Sequence, residues 1–459
     1  MKRAGILTVG GDTPALNALI KAIRDALRDL GFKTIYGFEG GFWGLIANIY
    51  KGNIIRTAID ETEGGTFLSS LRETPVIPPE EMAKIQNLPP AERRYKIKWW
   101  KTKLRGALNT IKELQLDLLV IIGGDGTASA TRAFIEEIKK AKLNCEVIFV
   151  PRTIDNDLAT DTRLYFNGEV FTVPLCPGYP TAALNVAREA KTLQTTATST
   201  HRIFTMQIMG RDAGWLALAA TAGRAEIVLI PEVNIVTNPK LNEENKQKTK
   251  KEFKAEISID HFFELVIERT KRNKPPHLII GVSEGIFLDG SQIYATQYGK
   301  RKLGGAGDEI ARRIIEFLKN GALNIVAYPN TRNGKNYPMV RKIGVRHHDT
   351  AYGPRKGPPS KYDIMLAYIL GYYGITKMIQ DGIFEHMPTL REVVNLKELT
   401  ERAQSPKEAM KIIQFIHIRN TRQHFVNPYA FYDLPNLSSS SAMDYFLYTI
   451  LHEEGKSYP

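Results

Sequence analysis

Seven short, continuous apolar runs alternate with longer amphipathic stretches, and this alternation constrains the fold more than any other feature. The runs are RAGILTVGG, LDLLVIIGG, EVIFVPRT, RIFTMQIMGR, EIVLIPE, HLIIGVSEG and NIVAYPN. None shows the polar alternation of a half-exposed strand, so each is expected to be covered on both faces. Between them lie helix-like patterns such as ALNALIKAIRDALRDLG, GTASATRAFIEEIKKAK and DEIARRIIEFLKNG, the last with Gly321 as its expected C-cap. Strands separated by helices imply parallel sheets in an α/β protein. With 459 residues, the chain is long enough for two such layers.

Composition narrows the function classes. The formal charge is +13, with 43% hydrophobic and 24% charged residues. Such a surplus suits nucleic acid, an anionic membrane or small acidic substrates. The densest basic run, KQKTKKEFK at 246–254, reads as a solvated helix face, and no zinc-finger spacing, RNA-binding aromatic signature or basic zipper is present. Nucleic acid is therefore not the expected partner. The two cysteines, Cys145 and Cys176, form neither a disulfide framework nor a CxxC site. No run approaches the ~18 apolar residues of a membrane span, and the start MKRAGILTVGGD is too short in apolar residues for a signal peptide. A cytoplasmic protein with no membrane association is expected. Residues 78–101 and 236–276 look like additions to the α/β frame, and the alternation fades after about residue 385.

The polar motifs fall at the C-terminal ends of the strands, where open α/β sheets bind ligands. ILTV runs into GGDTPALN, LVII into GGDGT, VIFV into PRTIDND, FTMQI into MGRDAG, and LIIGV into SEG. In GGDGT, Gly124 and Gly126 let backbone N–H groups approach an oxyanion, and Thr127 enters the following helix. Asp125 stands where a Mg²⁺ carboxylate ligand is useful, because Mg²⁺ binds through few carboxylates plus substrate phosphates. GGTFLSSLR adds Arg72 as a phosphate clamp. There is no GxxxxGK[ST]. TIDND supplies carboxylates for phosphoryl transfer: Asp155 is the expected base, supported by Asp157. Cations should surround the transferred group, and Arg72, Arg152 and Arg211 are candidates from three segments. The plain alternative is turn chemistry, since Asp and Asn make Asx-turns where strands stop.

Taken together, GILTVGGDTPALNALI, GGTFLSSLR, VIIGGDGT, RTIDND, MGRDAGWLAL, the SEG after LIIGV and VRHHDTAYGPRKGPPSKYD resemble the 6-phosphofructokinases, ATP- or pyrophosphate-dependent. The matched blocks run from residue 5 to about 371, in the family's order. The resemblance implies a phosphofructokinase fold of two Rossmann-like parallel-sheet layers, with a mostly helical C-terminal extension. It implies a phosphoryl-donor domain of residues 1–165 and 356–385, a sugar-phosphate domain of 166–355, and an extension of 386–459 with no assigned role. Gly11, Arg72, Asp125, Gly126 and Thr127 match the donor site, with Asp125 the Mg²⁺ ligand. Thr153, Asp155 and Asp157 match the segment holding the sugar's acceptor end. Met209, Gly210 and Arg211 match sugar contacts, with Arg211 also steadying the transferring phosphoryl. Glu284 matches a carboxylate that binds sugar hydroxyls. Tyr352 and Arg355 stand where the family holds the 6-phosphate. Arg202 and Arg346 match arginines given by a neighbouring subunit, which implies a homodimer or homotetramer with shared sites.

The same resemblance bears on the donor. Gly126 is the small residue of ATP users, where a side chain would fill the room of the α-phosphate. Phe42, in EGGFWGL, lies where the family can place an aromatic against adenine. Arg152 stands where common bacterial ATP enzymes have Gly, and pyrophosphate users and some ATP users have Lys; its fork is planar and longer than a lysine head. Tyr352 and the longer CPGYPTA loop lean toward pyrophosphate. The expectation is ATP, with pyrophosphate as the alternative. Fructose 6-phosphate is the expected acceptor, and the long loop 158–175 leaves sedoheptulose 7-phosphate open. For effector control, LIKAIRD keeps one charge at Lys21 and reverses another at Asp25. NAD and lipid kinases share a GGDG loop but lack TIDND and MGR. A silent regulatory subunit would be expected to have lost Asp155 or Arg211, and both are present.

Overall fold

The apolar runs are strands, and their ends bring the polar motifs together within each sheet. A computed structural model describes residues 2–239, 255–289, 296–297, 300–301, 305–319, 323–327, 331–332, 335–336 and 339–452. The basic run 246–254, Gly321 and the end of NIVAYPN lie outside the described residues. The chain divides into two compact units: residues 1–182, 355–424 and 452–456 form the first, and 183–354, 425–451 and 457–459 the second. This division differs from the boundaries expected from sequence. The change falls within helix Tyr179–Thr200, and the segment after residue 385 is divided between the units.

In the first unit, five strands run in the order Tyr50–Asn53, Thr34–Phe38, Arg3–Thr8, Leu118–Gly123, Glu146–Pro151. All neighbours are parallel except the first pair, which is antiparallel. Apolar residues cover both faces, which is why the runs carry no alternation. Ile6, Val120 and Ile148 face one core cluster, whereas Leu7, Ile121 and Phe149 face another. Helix Leu16–Asp29 covers the first face with Leu16, Leu19, Ile20 and Ile23 fully buried. Each such side chain contributes about 1.5–3 kcal/mol of burial free energy. Strand order reverses between Arg3–Thr8 and Leu118–Gly123, the switch point where α/β sheets open a crevice. GGD at 10–12 and GGDGT at 123–127 leave from these two strands.

The second unit has a four-stranded parallel sheet, ordered Gly344–Asp349, Arg202–Ile208, Leu278–Ser283, Ile227–Leu229. A smaller parallel sheet orders Ala255–Ser258, Val233–Val236 and Phe287–Leu288. Ser258 caps helix Ile259–Arg272, its hydroxyl accepting from Asp260 N and His261 N.

Residues 158–175, expected as a loop, contain a hairpin of strands Thr162–Phe166 and Glu169–Val173. Asn167 and Gly168 turn it with φ of 50° and 81°, the backbone that a two-residue hairpin turn requires. After residue 385 come helices Leu396–Arg402, Pro406–Ile412 and Ser441–Leu451, and also an antiparallel strand pair, His386–Leu390 with Ile413–His417. Cys145 and Cys176 are buried and unpaired. Among the described residues, no helix is long and apolar enough to cross a membrane.

Candidate active site

The first unit gathers its polar motifs by knitting loops to strand ends. The 64–72 loop is fastened to the first strand: Leu71 bridges Val9, Gly10 N donates to Leu71 O at 3.0 Å, and Thr8 Oγ1 donates to Ser69 O at 2.7 Å. This sets exposed Arg72 beside the GGD loop. Gly11 leaves room for Arg355, since a Cβ on Gly11 would stand 1.8 Å from Arg355 Nη1. Arg152 enters from the neighbouring strand end. Its backbone N donates to Gly123 O at 2.8 Å, and Nη2 donates to Val9 O at 3.1 Å. The side chain is 4% exposed, and its Nε has no hydrogen-bond partner in the protein. Burial and the charges of Arg355 and Arg72 push the guanidinium down to about 9, against the pull of Asp12. A cation this crowded by other cations is an anion site in waiting.

GGDGT opens helix Asp125–Lys140, with Gly124 at its N-cap and Asp125 in the first turn. Thr127 packs back, its Oγ1 donating to Val9 O at 3.4 Å. Gly126 is exposed, and a Cβ there would meet nothing within 4 Å. The TIDND turn is organised by Thr153. Asp155 N donates to Thr153 Oγ1 at 3.0 Å, and that hydroxyl donates to Asp157 Oδ1 at 3.3 Å. Asn156, with φ of 51°, pins the turn from beneath: its Nδ2 donates to Pro174 O at 2.7 Å and its Oδ1 accepts from Cys176 N at 3.1 Å. Burial and the charges of Asp155 and Asp125 push the Asp157 carboxyl up from the ordinary carboxylate range. Phe42 requires a correction. It is fully buried, edge-on to Phe134 at 5.7 Å, and offers no face to an adenine. The exposed aromatic of that segment is Trp43.

In the second unit, register brings MGR and SEG together. Ile208 pairs with Ser283, so Met209 and Glu284 leave adjacent strands at the same end. Ser283 Oγ donates to Gly210 O at 2.6 Å, Glu284 N to Ile208 O at 2.9 Å, and Gly210 N to Glu284 Oε1 at 3.4 Å. Gly210 has φ of 133°, and a Cβ on Gly285 would stand 1.7 Å from Arg211 O. Both positions therefore exclude a side chain. Arg211 and Tyr352 are exposed. Arg202 and exposed Arg346 do not join this group. Arg202 opens its strand, paired with Gly344, and Arg346 lies in the middle of the neighbouring parallel strand, paired with Phe204. The seven-residue strand Arg202–Ile208 separates Arg202 from Met209, which is roughly 20 Å at ~3.3 Å per residue.

The comparisons agree with these motifs. The family model described as Phosphofructokinase matches residues 3–377. The chain belongs to the phosphofructokinase family. Among curated relatives of this family, ATP-dependent 6-phosphofructokinase 2 of Clostridium perfringens is 30% identical over 75% of this chain and 82% of its own. Pyrophosphate--fructose 6-phosphate 1-phosphotransferase of Amycolatopsis methanolica is 29% identical over 86% of this chain and 93% of its own. Of solved structures, a pyrophosphate-dependent phosphofructokinase from Marinobacter aquaeolei aligns at a TM-score of 0.67 and 15% identity, covering 99% of this chain and 93% of that one. That likeness establishes the fold. As a phosphofructokinase-family member, the chain is a kinase.

Other residues of the site were not singled out from the sequence. Ser70 steadies the loops, its Oγ donating to Gly10 O at 3.1 Å. Asp12 faces Arg152 electrostatically. Gln423 reaches Asp157 Oδ2 at 3.3 Å from far along the chain. Ser70 and Asp12 lie inside motifs already recognised, whereas no local signal marks Gln423. Among the described residues, no three His, Cys, Asp or Glu side chains form a ready metal cluster. An open cleft of about 660 Å³, lined by Lys397, Glu398, Arg402 and Lys411 among others, contains none of the site residues.

Proposed function

We propose that the chain transfers the terminal phosphoryl group of ATP to the 1-hydroxyl of fructose 6-phosphate, giving fructose 1,6-bisphosphate. The observation that carries the donor assignment is the open space at Gly126, beside the N-terminus of a helix where phosphate is favoured. Backbone N–H groups of GGD and GGDGT, with Arg72 and Arg152, hold the donor phosphates. Arg152 Nε, buried without a protein partner, suits an anion.

Asp155 takes the proton of the attacking hydroxyl. Asp157, its carboxyl pushed up by burial and by the charges of Asp155 and Asp125, supports that base from two residues along the same turn. Thr153 ties the Asp155 backbone N–H to the Asp157 carboxyl and so fixes the turn that carries both acids. Met209, Gly210, Arg211 and Glu284 take the sugar, with Tyr352 and Arg355 on its 6-phosphate. Arg211 also meets the charge that develops on the transferring group. The crowding of Asp125, Asp155 and Asp157 fits a divalent cation held mainly by phosphate and one carboxylate. Asp125 would hold that Mg²⁺, which neutralises phosphate charge when bound. Arg202 and Arg346 serve the site of a neighbouring copy; in support, Arg202 opens its strand at the end opposite Met209. Glycolysis and an intracellular setting follow from this reaction.

The specific observation favouring pyrophosphate is buried Arg152, a fixed cation in the donor pocket. Product formation from fructose 6-phosphate with Mg²⁺ and either donor separates the two readings.

A further inference from the structure

The family match ends at residue 377, yet the chain beyond it backs the segment that follows the base. Thr389 Oγ1 donates to Thr160 O at 3.1 Å, Gln414 Nε2 donates to Thr160 O at 3.0 Å, and Arg163 N donates to Arg391 O at 2.8 Å. The contact then tightens toward the carboxylates. Leu158 and Gln423 form an antiparallel bridge, Ala159 N donates to Arg422 O at 2.9 Å, and His424 N donates to Asp157 O at 2.6 Å. On the other side, Arg132 Nη1 donates to Thr421 O at 3.3 Å. Arg132 lies in the helix that Asp125 opens. Residues 421–424 are thus tied to both carboxylate-bearing elements of the first unit. From this short segment Gln423 Nε2 donates to Asp157 Oδ2 at 3.3 Å, while Thr153 holds Oδ1.

We propose that Gln423 is a positioning residue for phosphoryl transfer, fixing the Asp157 carboxyl from beyond the residues that the family model matches. Two donors, one to each oxygen, define the plane of the carboxyl, and Gln423 supplies the second. This rests on the reaction assigned above. The C-terminal segment therefore works as a brace for the acceptor side of the site. Its Gln423 amide orients the group that receives the sugar and leaves the donor pocket alone.

The test uses the full chain and the variants Gln423→Ala, Gln423→Glu and Arg422→Ala. Arg422 is the control, its side chain 72% exposed and 3.7 Å from Asp161. In Gln423→Ala, KM for fructose 6-phosphate should rise about fivefold, as for one lost hydrogen bond, with donor KM and melting temperature unmoved. Gln423→Glu keeps the shape but sets a carboxylate against Asp157, and should lower kcat/KM further. Arg422→Ala should match the wild type. Unchanged kinetics in both Gln423 variants would overturn the proposal, as would an equal fall in all parameters together with a lower melting temperature. A second readout does not depend on turnover: the ¹³Cγ resonance of Asp157, identified by its loss in Asp157→Asn, should shift in Gln423→Ala and not in Arg422→Ala. If the wild type is silent with both ATP and pyrophosphate, the assigned reaction fails, and the resonance still decides Gln423; no shift would overturn it.

Discussion

The two sheets end in loops of similar composition, yet they manage charge in opposite ways. In the first unit, charge is packed inward: Arg152 is 4% exposed beside Arg355 and Arg72, and Asp157 is crowded by Asp155 and Asp125. In the second, the backbone is locked by Gly210 and Gly285, and Arg211 is left to solvent. Buried like charges cost free energy that only an opposite charge offsets. On the proposed reading, the first unit would handle phosphate and a proton, whereas the second would present preset polar groups to the sugar. Tight glycine interlock achieves there what electrostatics achieves in the first.

The largest effect should come from the inward-packed carboxylates. Asp155→Asn should lower kcat by roughly 10²–10⁴-fold, the range for a general base, and leave fructose 6-phosphate binding intact by calorimetry. Turnover near wild type would remove Asp155 as the base. Next is the open space at Gly126. Gly126→Asp should raise KM for ATP at least about tenfold, since like charges in contact cost several kcal/mol. Mixing Arg202→Ala protein with Asp155→Asn protein should then restore part of the activity neither has alone, if sites are shared between copies; no recovery would confine each site to one chain.

Among the described residues, the second unit has a buried acid, Glu232, and it sharpens the comparison. Glu232 Oε1 accepts from Gly214 N at 3.0 Å and Val426 N at 2.8 Å, while Oε2 has no partner. Burial pushes this carboxyl up to about 7, from an ordinary 4.5. The folded state therefore binds the proton more tightly than the unfolded state, and stability falls as pH rises from about 4.5 to about 7. Glu232→Gln should remove that slope, stabilising the protein by up to roughly 3 kcal/mol at pH 8 and little at pH 5. Denaturant melts at both pH values would show it; equal shifts at both would contradict it. The smallest effect belongs to the hairpin: Gly168→Val, at a φ of 81°, should cost about 1–2 kcal/mol.

Much of this was legible in the sequence because continuous apolar runs and strand-end motifs are local signals. Three of the first sheet's five strands and the Asp125 helix fall where the pattern put them, whereas Thr34–Phe38 and Tyr50–Asn53 are not among the apolar runs. The hairpin after the base was also written locally, in Asn167–Gly168, but the segment was read by its length rather than its turn. Phe42 misled because an aromatic in a matched segment says nothing of which way it packs, and Phe134 buries it. Gln423 was beyond reach, since its partner Asp157 lies 266 residues away and only tertiary packing joins them. The roles of the individual site residues rest on matched motifs, and the mutations above test them.

The central claim is a phosphoryl transfer from ATP, and one assay meets it directly. Purified protein with fructose 6-phosphate and Mg²⁺ is given ATP or pyrophosphate, and fructose 1,6-bisphosphate is measured. Product with ATP and none with pyrophosphate is the predicted result. Product with pyrophosphate alone would contradict it, and would mean that the buried Arg152 outweighs the open space at Gly126.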